Sequence, residues 1–191
     1  LRMLIKNRDV WAISLLFGTQ SIGFYATLAW LPTILQSLHF SAVTAGNYLA
    51  LMTLIGIPMG IFMPGILKVL GNSKNALIVS SVSAFIGIVG LAIFENSMTL
   101  LWIVLMGIGL ASAFPLILNV ITQRASNPEV TTSLSSFAQG VGYFIASLCT
   151  YVIGVIGTYS WTVALCVFSS FMVMQFALTF LAARAEVIEV R

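Results

Sequence analysis

The sequence predicts an all-α membrane protein with six transmembrane helices. Of its 191 residues, 60% are hydrophobic and 7% charged, and the mean hydropathy is +1.08. A soluble domain carries about 25% charged residues, and a soluble core of this size cannot hide so much apolar surface. The apolar residues fall into six runs, each able to cross a bilayer as a helix of about 20 residues. They are too long and too uniformly apolar for the alternating strands of a membrane barrel.

The first run spans about Val10 to Leu35 and carries Gln20, Tyr25 and Trp30 at helical depth, with Pro32 near its end. It is the stretch around which the other five are expected to pack. The second covers about Ala42 to Leu67, with Pro58 and Pro64 expected to interrupt it. A loop is expected from Lys68 to Lys74. The third run is about Asn75 to Phe94, closed by Glu95, Asn96 and Ser97. The fourth is about Met98 to Thr122, and Gln123 to Glu129 form the next connection. Asn127–Pro128 is a turn signal, with Thr131 or Thr132 expected to cap the following helix. The fifth run is about Thr132 to Ile156. The sixth is Trp161 to Ala183, and a charged tail begins at Arg184.

All eight Lys and Arg residues lie at one end of this arrangement. Arg2, Lys6 and Arg8 precede the first span, and Lys68 and Lys74 separate the second from the third. Arg124 separates the fourth from the fifth, and Arg184 and Arg191 follow the sixth. The positive-inside rule puts both termini of this segment and these two loops in the cytoplasm of a cell inner (plasma) membrane protein. His39 falls in an outer connection and reads as an exposed interfacial histidine. The net charge of +3 and pI near 9.1 do not indicate nucleic acid, because the basic residues sit in connections and tails rather than on one patch. Leu1 is not an initiator methionine and no signal peptide is visible, so a segment of a longer polypeptide is expected.

No enzyme is expected. There is no nucleophile–base pair, metal-ligand spacing or Gly-rich phosphate loop, so no cofactor and no metal is predicted. Cys149 and Cys166 fall inside apolar runs and read as small buried hydrophobes. No Asp, Glu, Lys, Arg or His sits well inside a span. Polar residues instead form stripes: Gln20 with Thr27 on span one, Thr44 with Asn47 on span two, Ser112 with Asn119 on span four, Gln139 with Tyr143 on span five. An unpaired amide in hydrocarbon costs about 2–7 kcal/mol, so these groups face a partner helix or a wet lumen. Spans three and six carry little beyond Ser80, Ser81, Ser83 and Gln175. A lumen shared by spans one, two, four and five is therefore expected, with Gln20, Tyr25, Trp30, Asn119, Gln139 and Tyr143 as its candidate lining. Gly56, Gly60 and Gly142 are candidate packing positions. Pro32, Pro58 and Pro115 are candidate bends beside it.

Six spans with both ends inside, and a basic loop from Pro64 to Lys74, resemble one half of a major facilitator superfamily transporter. Lys68 stands where that loop motif usually has an acid. Gln20-Ser21, Phe24-Tyr25 and Trp30-Leu31-Pro32 resemble the seventh helix of the cyanate/nitroimidazole porter (CynX/NimT-type) family. Phe114-Pro115-Leu116 and Ala138-Gln139-Gly140-Val141-Gly142-Tyr143 resemble its tenth and eleventh. The resemblance implies that residues 1–191 are the C-terminal six-helix domain, helices 7–12 of a twelve-helix fold. Its partners would be the lipid bilayer, an N-terminal six-helix half and a small-molecule substrate held near the midplane during alternating access. Self-association is expected if the segment is expressed alone. The expected function is secondary active transport of a small polar or aromatic solute, cyanate- or nitroimidazole-like. A multidrug-type efflux pump and a six-helix assembly module without transport activity are the alternatives.

Overall fold

A computed structural model describes residues 5–94 and 97–188. Arg2, Glu95, Asn96 and Arg191, to which the sequence assigns places in the connections and tails, lie outside the described residues. Among the described residues, seven long α-helices follow one another: α1 (Arg8–Ser37), α2 (Ala42–Leu54), α3 (Gly56–Leu70), α4 (Ser73–Phe94), α5 (Thr99–Arg124), α6 (Pro128–Gly157) and α7 (Trp161–Arg184). Helices α2 and α3 form one span, Ala42–Leu70, so six elements are long and apolar enough to cross a membrane. Apart from a single bridge between Ala125 and Ile188, the described residues hold no strand pairing.

The helices outrun the apolar stretches by up to a turn, because capping and hydrogen bonding continue them into polar residues. Asn7 caps α1 by accepting from Asp9 N at 2.8 Å, and Ser41 caps α2 by accepting from Thr44 N at 3.1 Å. The cap of α6 is Asn127, which accepts from Val130 N at 3.0 Å with Pro128 in the first turn. Thr131 and Thr132 lie inside the helix, so neither is the expected cap. Pro128 has the fixed φ suited to a first helical position, which places the cap just before it. The Lys68–Lys74 loop shrinks to Gly71 and Asn72, with Gly71 at φ +83° ending α3. The tail is not free either: Ile188 N donates to Arg124 O at 2.7 Å.

The second span breaks at Ile55, three residues before Pro58. Pro58 has no N–H for the Leu54 carbonyl four residues back, so the ladder lapses there. Bonds from Ile55 N to Leu51 O and from Met59 N to Ile55 O carry the chain onward in one direction. Pro32, Pro64 and Pro115 sit inside unbroken helices.

Helix α1 is the hub. Its apolar window is 67% buried, against 11% for the α2–α3 span. It packs on α6, α7, α2 and α5, while α4 packs on α5 and α7. Buried Ser14 and Thr27 of α1 donate to the carbonyls four residues back, Val10 and Gly23, which spares them a partner in hydrocarbon. Spans one and five run parallel and touch at Gly18 and Gly142. A Cβ on Gly142 would lie 2.6 Å from Phe17 Cδ1 and 3.1 Å from Gly18 N. The hydrogen at Gly142 lets the backbones meet, while a Cβ on Gly18 would make ordinary contact, 3.5 Å from Gly142 Cα. Gly60, by contrast, has open space around it, and Gly56 only brushes Ala111. Cys149 is half-buried and packs against the apolar core as a small hydrophobe, whereas Cys166 is exposed and does not. His39 is exposed, at φ 68° in the α1–α2 connection.

Small polar residues join α4 to its neighbours. Ser80 Oγ donates to Gly109 O at 2.5 Å, Ser83 Oγ to Leu105 O at 2.8 Å, and Gln175 Nε2 to Ser81 Oγ at 3.0 Å. Gln175 Oε1 is buried and has no partner among the described residues.

Replacing Gly142 by Val forces α1 and α6 apart. An unfolding titration in detergent should show a loss of about 1–3 kcal/mol, the usual cost of overpacking. Gly60→Ala, at an open position, should stay within about 0.5 kcal/mol of the parent.

Candidate functional site

A cavity of about 310 Å³ opens beside the middle of α1. Helix α1 contributes Gln20, Ser21, Phe24 and Tyr25. Thr53 of α2 and Gly56 of α3 close one side; Leu110, Ala111 and Phe114 of α5 and Tyr143 of α6 close the other. Its walls therefore come from spans one, two, four and five. None of the lining residues is an Asp, Glu, Lys, Arg or His.

An edge-to-face aromatic chain shapes the cavity. Phe24 meets Tyr25 at 5.6 Å between ring centroids, Tyr25 meets Tyr143 at 5.8 Å, Tyr143 meets Phe17 at 5.3 Å, and Phe17 meets Phe114 at 5.9 Å. Each such pair contributes about 0.5–1.5 kcal/mol beyond burial. Phe17 is fully buried and anchors the chain, whereas Tyr25 and Tyr143 are 43% and 37% exposed. The contact of Gly18 with Gly142 sets this geometry, since Phe17 and Tyr143 are their sequence neighbours.

Gln20 is the polar centre. It is 3% exposed, and its Oε1 accepts from Ser21 Oγ at 3.3 Å. The amide nitrogen forms no hydrogen bond among the described residues, leaving two donors for whatever fills the cavity. Pro115 leaves one carbonyl of α5 without its usual helical donor. It has no N–H for the carbonyl of Ala111 four residues back, and Ala111 lines the cavity. Thr53 Oγ1 is engaged with Leu49 and Ala50 carbonyls of its own helix.

Three sequence candidates thus meet at the cavity, Gln20, Tyr25 and Tyr143, and three do not line it. Trp30 lies toward the opposite end from the basic residues. Its Nε1 donates to Thr150 O at 2.9 Å, and its ring covers Gly154 and tilts against Trp161. Asn119 Nδ2 donates to Ser73 Oγ at 2.9 Å, joining α5 to α4. Gln139 Nε2 donates to Ser135 Oγ at 2.7 Å, one turn back on α6. The polar stripe of span four therefore faces span three rather than the lumen: Ser112 Oγ lies 3.2 Å from Ser80 Oγ. The serines of span three supply the partners that turn this stripe. The face that span four does give the cavity, Leu110, Ala111 and Phe114, is apolar and leaves no polar signal to read. Thr53 went unnoticed for a related reason, being one hydroxyl in an apolar run.

A family model described as Major Facilitator Superfamily matches residues 1–147. The chain is 29% identical over 160 residues to the uncharacterized transporter YycB of Bacillus subtilis (strain 168), covering 82% of this chain and 40% of that protein. It is 30% identical over 150 residues to the cyanate transport protein CynX of Escherichia coli (strain K12), covering 78% and 39%. It is 31% identical over 137 residues to the 2-nitroimidazole transporter of the same organism, covering 72% and 35%. The crystal structure of a D-xylose-proton symporter superposes with a TM-score of 0.62 at 20% identity, over 90% of this chain and 46% of the symporter. That likeness speaks for the fold alone. The chain spans about two fifths of the length of the curated relatives it matches.

The Trp30 contacts are those of a helix staple. Trp30→Phe removes one hydrogen bond and should lower unfolding stability by about 1 kcal/mol. A binding titration of the transported solute, run on the same preparation, should return an unchanged affinity.

Proposed function

This multi-pass membrane chain belongs to the Major Facilitator Superfamily, and from that premise we propose that it is the C-terminal half of a secondary transporter for a small, neutral, flat polar solute. The observation that carries this reading is the cavity itself: aromatic walls, one buried amide with free donors, and no charged lining residue. An aromatic wall offers a planar solute a stacking surface, and the Gln20 amide and Ala111 carbonyl offer it a donor and an acceptor. A nitroheterocycle suits such a lining. Cyanate, an anion, would find no cation here and would need positive potential from elsewhere.

The volume of about 310 Å³ lies at the low end of the range for small-molecule pockets, roughly 300–1,000 Å³. An N-terminal six-helix half would complete the site, with the two halves rocking about it; the sparsely buried α2–α3 span is one of the surfaces free to meet that half or lipid. The basic residues gathered at one end support cytoplasmic termini in a plasma membrane. Expressed without its partner half, the segment would pair with itself through the open cavity face.

Counterflow in liposomes, with the product of the complete reading frame, tests the reading. A labelled neutral nitroimidazole should exchange saturably and labelled cyanate should not. Gln20→Ala should raise KM about tenfold, the worth of one to two hydrogen bonds. Exchange of the neutral solute with KM unchanged in Gln20→Ala would move the binding site out of this half.

A further inference from the structure

A second space, of about 220 Å³, lies at the basic end between the start of α4 and the ends of α5 and α7. Lys74 and Arg124 both line it, and among the described residues no carboxylate does. Several hydrogen-bond donors there have no acceptor. Ser73 is 4% exposed, and its Oγ already accepts from Asn119 Nδ2 at 2.9 Å and Gln123 Nε2 at 3.4 Å. With both lone pairs engaged, its own O–H is left to donate, and no acceptor takes it among the described residues. Arg124 gives one guanidinium nitrogen to Ala183 O at 2.6 Å, while its Nε–H is shut off from solvent and has no partner among the described residues. Lys74 Nζ sits 4.5 Å from the centroid of the Phe180 ring, a contact that leaves its charge uncompensated.

The start of α4 adds to this. Asn72 Oδ1 accepts from Asn75 N at 2.8 Å and Asn72 O from Ala76 N at 3.2 Å. The amides of Ser73 and Lys74, at the positive end of a 22-residue helix, have no acceptor among the described residues. The α5 and α7 ends bring carbonyls of opposite polarity, and Arg124 occupies that of Ala183. An unpaired buried donor costs about 1–3 kcal/mol, and here such donors share one small space with two cations.

We propose that this cavity binds a phosphate group, presented by an anionic lipid headgroup at the membrane surface or by free phosphate. A phosphate is rich in acceptors and can take the Ser73 hydroxyl, the Arg124 Nε–H, the Lys74 ammonium and the free helix amides together. The site is separate from the aromatic cavity and does not depend on which solute is transported.

The test uses the full-length protein. Its thermal unfolding is followed in neutral detergent with added sodium phosphate against sodium chloride at equal ionic strength. In a second arm, native mass spectrometry scores retention of phosphatidylglycerol against phosphatidylcholine. A Tm rise with inorganic phosphate identifies free phosphate as the ligand, and selective retention of phosphatidylglycerol alone identifies the lipid. In either case Lys74→Gln should weaken binding about tenfold. Ser73→Ala, which removes only a hydroxyl and is expected to fold, should weaken it about fivefold. No response to phosphate and no preference for phosphatidylglycerol would overturn the proposal. So would equal responses from the parent and both variants.

Discussion

The contact of Gly18 with Gly142 is the constraint on which the rest depends. Spans one and five run parallel, and the hydrogen in place of a side chain at Gly142 lets their backbones meet. The neighbours of those glycines, Phe17 and Tyr143, are thereby pressed into an edge-to-face pair at 5.3 Å. Tyr143 in turn reaches Tyr25, and Phe17 reaches Phe114 on α5. One close approach thus aligns aromatic rings from three helices. In lipid no hydrophobic effect draws helices together, so such packing and a few polar contacts must hold the bundle.

The polar contacts obey the same economy. Ser14 and Thr27 return their protons to their own helix, the serines of α4 bond across to α5 and α7, and Trp30 joins α1 to α6 near Thr150. Asn119 and Gln139 also find protein partners. Gln20 is different. It is buried, lines the cavity and keeps its amide donors free. At about 2–7 kcal/mol for an amide unpaired in hydrocarbon, that arrangement is stable only where water or a solute answers it.

Much of this was legible in the sequence, and the remainder was hidden for definable reasons. Composition and run length read out an all-helical, six-span protein, and the family followed from motifs around Gln20 and Gly142. The central place of α1 was read from its polar residues at depth, and its burial agrees with that. Helix rotation was harder. Asn119 and Ser112 look alike to a lumen and to a serine-bearing neighbour, and only the fold puts Ser73 and Ser80 across from them. The apolar lining, Leu110 and Phe114, is indistinguishable in one dimension from a lipid-facing surface. Glycine spacing misled for a similar reason: Gly60 has the right interval from Gly56 but open space beside it, while Gly18 has no second small residue four positions on and yet meets the backbone of Gly142.

The most direct test is a structure of the full-length protein, by electron cryomicroscopy in a lipid nanodisc, with a neutral nitroheterocycle bound. The solute is expected against the rings of Tyr25 and Tyr143, within hydrogen-bond distance of the Gln20 amide. Density for the solute elsewhere, with this cavity closed or filled by a lipid chain, would contradict the assignment of the cavity as the transport site.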